Sequence, residues 1–423
     1  MKKILILILI TFTFCVYSNG QATVYPTPPQ KGTFALVHGT VHIGNGQIIE
    51  DGIIVITDGK ITDVRAYAPM ANIKAIDCSG KQIYPGLISP VTTLGLEEIE
   101  AVRSTRDDRE LGYLNPNIHS YIAYNSDSKV INTVRTNGIL LANVIPNGGI
   151  ISGASSVMQL DAWNWEDALY KRDGGIHLRI PYLVRFSQES NALKEGLEKI
   201  EEVKKFFREA KAYYEEPKHE HVNLKLEAVK GLFDKTQTLF VHADLVKEMM
   251  IAIDFAKEFG FRTVIIGGAD SWKITDQLKQ NNIAVIVNRP HSMPVIQDDD
   301  VNLPYKTPYL LQQAGVLYCI MDDDEMSRYR NLPFNAGTAV AFGLTKEQAL
   351  QAITFNTAKI LGIDDRTGTI KKGKDANIVV STGDILDMKT NNVVNAFIQG
   401  REISLDNKQK QLYEKYKYKY DLK

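Results

Sequence analysis

The side chains most able to do chemistry in this sequence stand just after apolar, strand-like runs. His242 follows Thr238-Leu239-Phe240-Val241, and His291 follows a run that ends at Val287. Asp322, Asp323, Asp324 and Glu325 follow the run Val316 to Met321. Imidazole and carboxylate groups are ligands for a divalent ion, and a carboxylate can serve as general base. If these segments converge, His242, His291 and one aspartate make a single-metal site. Neighbouring residues such as Asp322 and Asp323 diverge in direction, so only one of them can face the pocket. Plainer readings stand beside this one. His242 can be a hydrogen-bonded core histidine, His291 a loop anchor, and the acidic run a helix start or solvated loop.

Two further segments carry polar chemistry. Asn147-Gly148-Gly149-Ile150-Ile151-Ser152-Gly153 follows Ile139 to Ile145. Glycines permit close backbone approach and leave N–H groups open to an anion or a carbonyl. Gly148, Gly149 and Ser152 are therefore candidate substrate contacts, with an ordinary tight loop as the alternative. Glu97, Glu98, Arg106, Asp107, Asp108 and Glu110 form a charged stretch. They can supply oxygen ligands to a hard metal, or they can cap helices and lie in solvent.

The elements that must position these groups alternate. From about 85 to 360, strand-like runs (Ile139 to Ile145, Thr238 to Val241, Thr263 to Ile266, Ala284 to Val287, Val316 to Ile320) are separated by helix-like stretches. Strands alternating with helices imply a parallel sheet, and repetition over this length favours a barrel. Leu193, Leu197, Ile200, Val203, Phe207 and Ala210 recur at helical spacing and predict an amphipathic insertion within about 190–235. Both flanks are β-rich. An Asp58-Gly59 turn between Ile53 to Ile56 and Lys60 to Val64 signals a hairpin. Strands recur after Gly368 at Ile378 to Val380 and Val394 to Ile398. The expected organisation is a signal peptide at 1–20, a loose linker at 21–32, and a composite β-sandwich from 33–84 and 366–405. An α/β barrel spans 85–365 and a tail 406–423.

Three passages carry a family resemblance. Gly59-Lys60-Ile61 with Tyr84-Pro85-Gly86-Leu87-Ile88 is the first. Ala349 to Ala358 with Leu361-Gly362 is the second, and Gly368 to Val379 (GTIKKGKDANIV) is the third. Together they resemble the amidohydrolase superfamily, most of all its imidazolonepropionase-related branch. The resemblance implies a TIM-like (β/α)8 barrel with a small β-sandwich, and hydrolysis of non-peptide C–N bonds by metal-bound water. It also implies that Asp323 takes the place of the catalytic carboxylate and that His242 matches a ligand histidine. The first strand of the family ends in His-x-His, where this sequence has Val91 and Thr93. Gly267 falls where another histidine is expected. A binuclear centre of the usual kind is thus excluded, leaving one divalent metal (zinc or manganese) or none. A barrel that binds a small molecule without turnover, or that pairs with an active relative, remains the alternative.

Composition narrows the partners. The 423 residues carry a formal net charge of −1, which gives no basis for nucleic-acid binding. Lys2-Lys3, the apolar run from Ile4 to Val16 and Ser18-Asn19-Gly20 read as a secretory signal. The expected protein is exported, periplasmic or secreted, and off the membrane once cleaved. It binds a small molecule, and self-association or pairing with a related amidohydrolase is open. Cys78 and Cys319 fall in different domains and are expected as free buried thiols.

Overall fold

The computed structural model describes residues 24–70, 73–181, 183, 192–322 and 326–422. The expected signal peptide and Asp323 lie outside the described residues.

Five strands open the chain: β1 (Thr33–His42), β2 (Ile48–Thr57), β3 (Lys60–Ala66), β4 (Lys74–Asp77) and β5 (Gln82–Pro85). The Asp58-Gly59 turn joins β2 to β3 with φ of 48° and 82°, which is why a glycine follows an aspartate there. Strands from the other end of the sequence complete the sheet, in the order β16-β15-β14-β5-β1-β2-β3 with β4 on β1. These late strands are β14 (Ile378–Ser381), β15 (Val393–Ile398) and β16 (Arg401–Glu402). The seam is the antiparallel pairing of β14 with β5. Leu36, Ile54, Ile378 and Phe397 share one buried cluster, so neither end of the sequence builds this core alone.

Between them runs a second eight-stranded sheet in strictly sequential order from β6 to β13. Its strands are β6 (Leu87–Thr92), β7 (Ile139–Val144), β8 (Ile151–Gln159) and β9 (Leu169–Arg179). Then come β10 (Thr238–Ala243), β11 (Thr263–Gly267), β12 (Ala284–Val287) and β13 (Tyr318–Ile320). The sheet curls into a nearly closed barrel. Alternation along each strand shows why. Phe240, Val264, Ile266, Ile286 and Cys319 share the interior cluster. Leu239, Val241, Ile265, Val285 and Ile320 face the surrounding helices. The helix Phe355–Leu361 packs against both edge strands, and Ile88 N–H donates to the Ile353 carbonyl at 3.0 Å, covering the gap.

The barrel departs from an all-parallel repeat at one place. β8 runs antiparallel to both β7 and β9. Gly148 and Gly149, at φ of 86° and 69°, lie in the connection that turns the chain back. Neither β8 nor β9 is evident in the sequence. β8 is serine-rich, and β9 carries Lys171, Arg172, Asp173 and two glycines. Outside, the insertion forms a helix at Ala192–Glu215 whose Phe207 packs among Phe255, Phe259 and Phe261. Leu193 and Leu197, expected on its buried face, are exposed.

Residues 24–32 are not the loose linker expected. Thr27 N–H donates to Asp161 Oδ2 at 3.0 Å, Arg401 donates to the Thr27 carbonyl at 2.9 Å, and Gln30 accepts from Gly59 N–H at 2.6 Å. The proline-rich composition suggested a spacer, but its backbone polar groups are claimed by both domains. In the tail, Lys408–Lys419 is a helix with no buried residue. Among the described residues no helix is long and apolar enough to cross a membrane. Cys78 and Cys319 are free and buried.

Candidate functional site

A cavity of about 310 Å³ opens at the C-terminal ends of the barrel strands. Its floor is Val91 in β6, Thr93 just after it, Ile266 in β11 and Met321 after β13. One wall is Arg179 and His242, from the ends of β9 and β10. The other is Glu97, Arg106, Asp108 and Arg109 from the segment after β6, together with Asn147. The charged stretch 97–110 therefore supplies cavity wall through these residues, where solvated loop was the competing expectation.

Strand register explains the imidazole wall. β9 and β10 pair in parallel with His177 beside Phe240 and Arg179 beside His242. Residues two apart on a strand share a face, so His177 and Arg179 both point inward with His242. Arg179 Nη1 lies 3.3 Å from His242 Nδ1, and His242 Nε2 lies 3.1 Å from His177 Nδ1. Guanidinium only donates, so Nδ1 of His242 accepts. The neutral ring then carries its proton on Nε2 and donates to His177. His177 in turn holds its proton on a buried Nε2 with no hydrogen-bond partner among the described residues. Burial, reinforced by the Arg179 charge, pushes His177 down to about 3. Burial, then Arg179 and His177, hold His242 well below the ordinary histidine value. Both rings are neutral near pH 7.

The opposite wall is a chain of charge-assisted bonds. Arg179 Nη2 donates to Asn147 Oδ1 at 2.5 Å, and Asn147 Nδ2 donates to Asp108 Oδ2 at 3.0 Å. Arg109 Nε and Nη2 reach the same oxygen at 3.3 and 3.2 Å. Burial works to raise the Asp108 pKa, but the Asn147 and Arg109 bonds outweigh it and hold it below the carboxylate range. Glu97 shifts the other way: burial raises it, opposed by Arg106 and reinforced by the Asp108 charge.

The sequence-predicted residues divide. His242 lines the cavity. His291 does not: it is exposed, its Nε2 lies 2.5 Å from Thr338 Oγ1, and its N–H donates to Asn335 at 3.2 Å. The loop after β12 carries it away from the barrel axis and onto the helix Leu332–Ala341. Asp322 is buried but absent from the cavity wall. Gly148 packs against Arg109 and the Glu110 carbonyl, Gly149 against the Gly112 and Tyr113 carbonyls, and neither lines the cavity. A Cβ on Gly149 would come within 2.8 Å of the Tyr113 carbonyl, and the Ile150 N–H already donates to that carbonyl at 2.8 Å. Ser152 is buried within β8, outside the cavity.

Val91 and Thr93 do line the cavity, and Thr93 Oγ1 lies 3.0 Å from Tyr329 Oη. At Gly267, φ is 106°, which strains any L side chain, and a Cβ would stand 2.6 Å from Asp244 Oδ1, so a histidine there would need Asp244 to move. His177, Arg179 and Tyr329 escaped the sequence reading, and Asn147 stood in it only as the first residue of the glycine loop. The pattern His177-Leu178-Arg179 held the signal for two of them, once β9 is recognised as a strand.

A metal ion fits this donor set poorly. Both nitrogens of His242 are engaged and a guanidinium stands beside one of them. Among the described residues no group of three or more His, Cys, Asp or Glu side chains is placed to hold an ion.

Residues 201–403 match the Amidohydrolase family. An imidazolonepropionase from Flavobacterium psychrophilum is 24% identical over 305 residues, spanning 60% of this chain and 74% of that protein. A second, from Thermoplasma volcanium, is 41% identical over 69 residues, 16% of this chain and 17% of its own. Among solved structures, an amidohydrolase from Thermotoga maritima superposes with a TM-score of 0.77 at 23% identity, covering 88% of this chain and 99% of its own. Molinate hydrolase gives 0.56 at 16% identity, over 89% and 95%. A zinc-bound adenosine deaminase from Xanthomonas campestris gives 0.51 at 14% identity, over 93% and 99%. Structural likenesses at such identity establish the fold.

Proposed function

We propose that this chain, an amidohydrolase-superfamily protein related to the imidazolonepropionases, is an exported hydrolase of a non-peptide carbon–nitrogen bond in a small polar molecule. The observation that carries the reading is the polar cavity at the C-terminal ends of the barrel strands, where barrels of this kind hold their active sites. Arg179, already turned toward the cavity by its bonds to His242 and Asn147, is the donor best placed to polarise a carbonyl oxygen. Asp108 remains ionised in the wall. Members of this superfamily commonly use divalent metals. The described residues do not fit such a centre. Export rests on residues 1–20, and Gln21 is the expected first residue of the mature protein.

A second reading, a barrel that binds without turnover, is favoured by the commitment of the His242 lone pair to Arg179. One experiment separates the two. Purified mature protein is assayed for metal content and for hydrolysis of a panel of amides, cyclic ureas and imines, beside Arg179→Met. Turnover that falls by about a hundredfold or more in the variant supports the first reading, the size expected when a donor to a developing oxyanion is removed. Binding of panel members with no hydrolysis, with or without added zinc or manganese, supports the second.

A further inference from the structure

His242, the one ligand histidine that the resemblance supplies among the described residues, has a cation against it already. Arg179 Nη1 lies 3.3 Å from His242 Nδ1, and Arg179 Nη2 donates to Asn147 Oδ1 at 2.5 Å. An imidazole nitrogen and an amide oxygen thus converge on the guanidinium as they would on a bound ion. Its countercharge is Asp108, whose Oδ2 accepts from Asn147 Nδ2 at 3.0 Å. A metal cannot share this place. Zinc needs a ring nitrogen at about 2.0–2.1 Å, but the Nδ1 lone pair meets Arg179 and Nε2 faces His177 Nδ1 at 3.1 Å. A dication there would also meet the fixed guanidinium charge at close range. The other described positions where the resemblance calls for histidine add no nitrogen. Val91 has no donor atom, the Thr93 hydroxyl lies 3.0 Å from Tyr329 Oη, and Gly267 has no side chain.

We infer that Arg179 is the resident cation of this barrel, a guanidinium that takes the place of a divalent ion beside His242, so that the cavity holds its ligand without a metal. Strand register keeps it there. Arg179 is the partner of His242 across β9 and β10, so the two side chains leave adjacent strands side by side. A guanidinium keeps its charge throughout the accessible pH range. It offers planar N–H donors where an ion offers an open coordination position, and so favours an oxygen acceptor lying in its plane. This inference deepens the hydrolase reading at the same cavity, but it concerns which cation is resident and does not require turnover.

The test uses the full mature chain and zinc as the probe, read by equilibrium dialysis and counting only metal that is lost again on His242→Ala. Wild type should hold no such zinc. Val91→His with Thr93→His returns two imidazoles to the cavity lining. That pair should bind zinc at least about a hundredfold more weakly with Arg179 in place than when combined with Arg179→Met, because the guanidinium repels the dication. His242-dependent zinc in the wild type, equal affinity with and without Arg179, or no zinc in the folded triple variant overturns the inference. If the triple variant does not fold, Arg179→Met alone is titrated with cobalt(II). Paramagnetic broadening of the His242 ring resonances should appear in that variant and not in the wild type; broadening in both proteins or in neither overturns it equally. Failure to hydrolyse any panel compound would leave the inference standing, whereas zinc bound at His242 would sink it and leave hydrolysis open.

Discussion

At the residue scale, the deciding contact is between Arg179 and His242. A histidine at the end of a barrel strand is a ligand or a base only if a ring nitrogen keeps a free lone pair. Here the guanidinium claims Nδ1 and His177 claims the Nε2 proton. The pair has a consequence for acid stability. His177 titrates at about 3 when folded and near 6.5 when unfolded. A histidine whose folded value is depressed binds fewer protons folded than unfolded between those limits. Its contribution is therefore present above 6.5 and lost as the pH falls toward 3. Replacing His177 by Leu should flatten that decline. Urea denaturation of wild type and variant at several pH values within the window measures it, and parallel curves would show that His177 does not titrate as argued.

At the element scale, the β-sheet domain and the barrel meet through His42 and Glu347. His42 sits on β1 and Glu347 on the helix Lys346–Ala352, with His42 Nδ1 2.6 Å from Glu347 Oε1. Its Nε2 lies 2.8 Å from Gln82 Oε1, so both ring nitrogens face oxygen acceptors and the cationic ring is the form that fits. Burial alone would lower the His42 pKa, but the Glu347 and Gln82 bonds with the Glu347 and Asp384 charges outweigh it and raise it above 6.5. A raised histidine stabilises fully below its unfolded value and loses that contribution as pH rises through the folded one. Glu347→Gln should therefore cost most near pH 6 and progressively less toward pH 9. Thermal melts of both proteins across that range check the sign, and a cost that grows with pH would contradict it.

At the scale of the whole molecule, Asp161 is the joint. It is 1% exposed and binds Arg135 of the helix Lys129–Arg135 at 2.8 Å, Arg401 of β16 at 3.3 Å and the Thr27 N–H at 3.0 Å. Barrel, sheet and N-terminal segment thus share one carboxylate. Removing it leaves the buried Arg135 guanidinium without its carboxylate, and breaking a buried pair in this way costs about 3–5 kcal/mol. Asp161→Ala should lose stability on that scale, and Arg401→Met, which leaves the Arg135 pair intact, should lose less. Chemical denaturation of the two variants compares them; equal losses below about 1 kcal/mol would place the pair among ordinary surface salt bridges.

Sequence by itself determined what depends on neighbours along the chain. The alternation of strands and helices, the Asp58-Gly59 hairpin, the helix at Val246–Phe259 ending on left-handed Gly260, and the return of β structure after Gly368 are all local patterns of hydrophobicity and backbone conformation. So is the absence of histidine at Val91, Thr93 and Gly267. What converges was decided only by the tertiary structure. His242 lies at the end of β10 and His291 a few residues after β12, yet the loop swings His291 onto Thr338 while strand register locks His242 against Arg179. The charged stretch 97–110 had no periodicity to assign it inward or outward. The reversed strand β8, whose connection from β7 packs against residues 108–113, fixes Asn147 beside Asp108 and so fixes that wall. Direction along a strand is written in alternation, but direction across a barrel depends on which strands become neighbours, and that contact is not encoded at any one position.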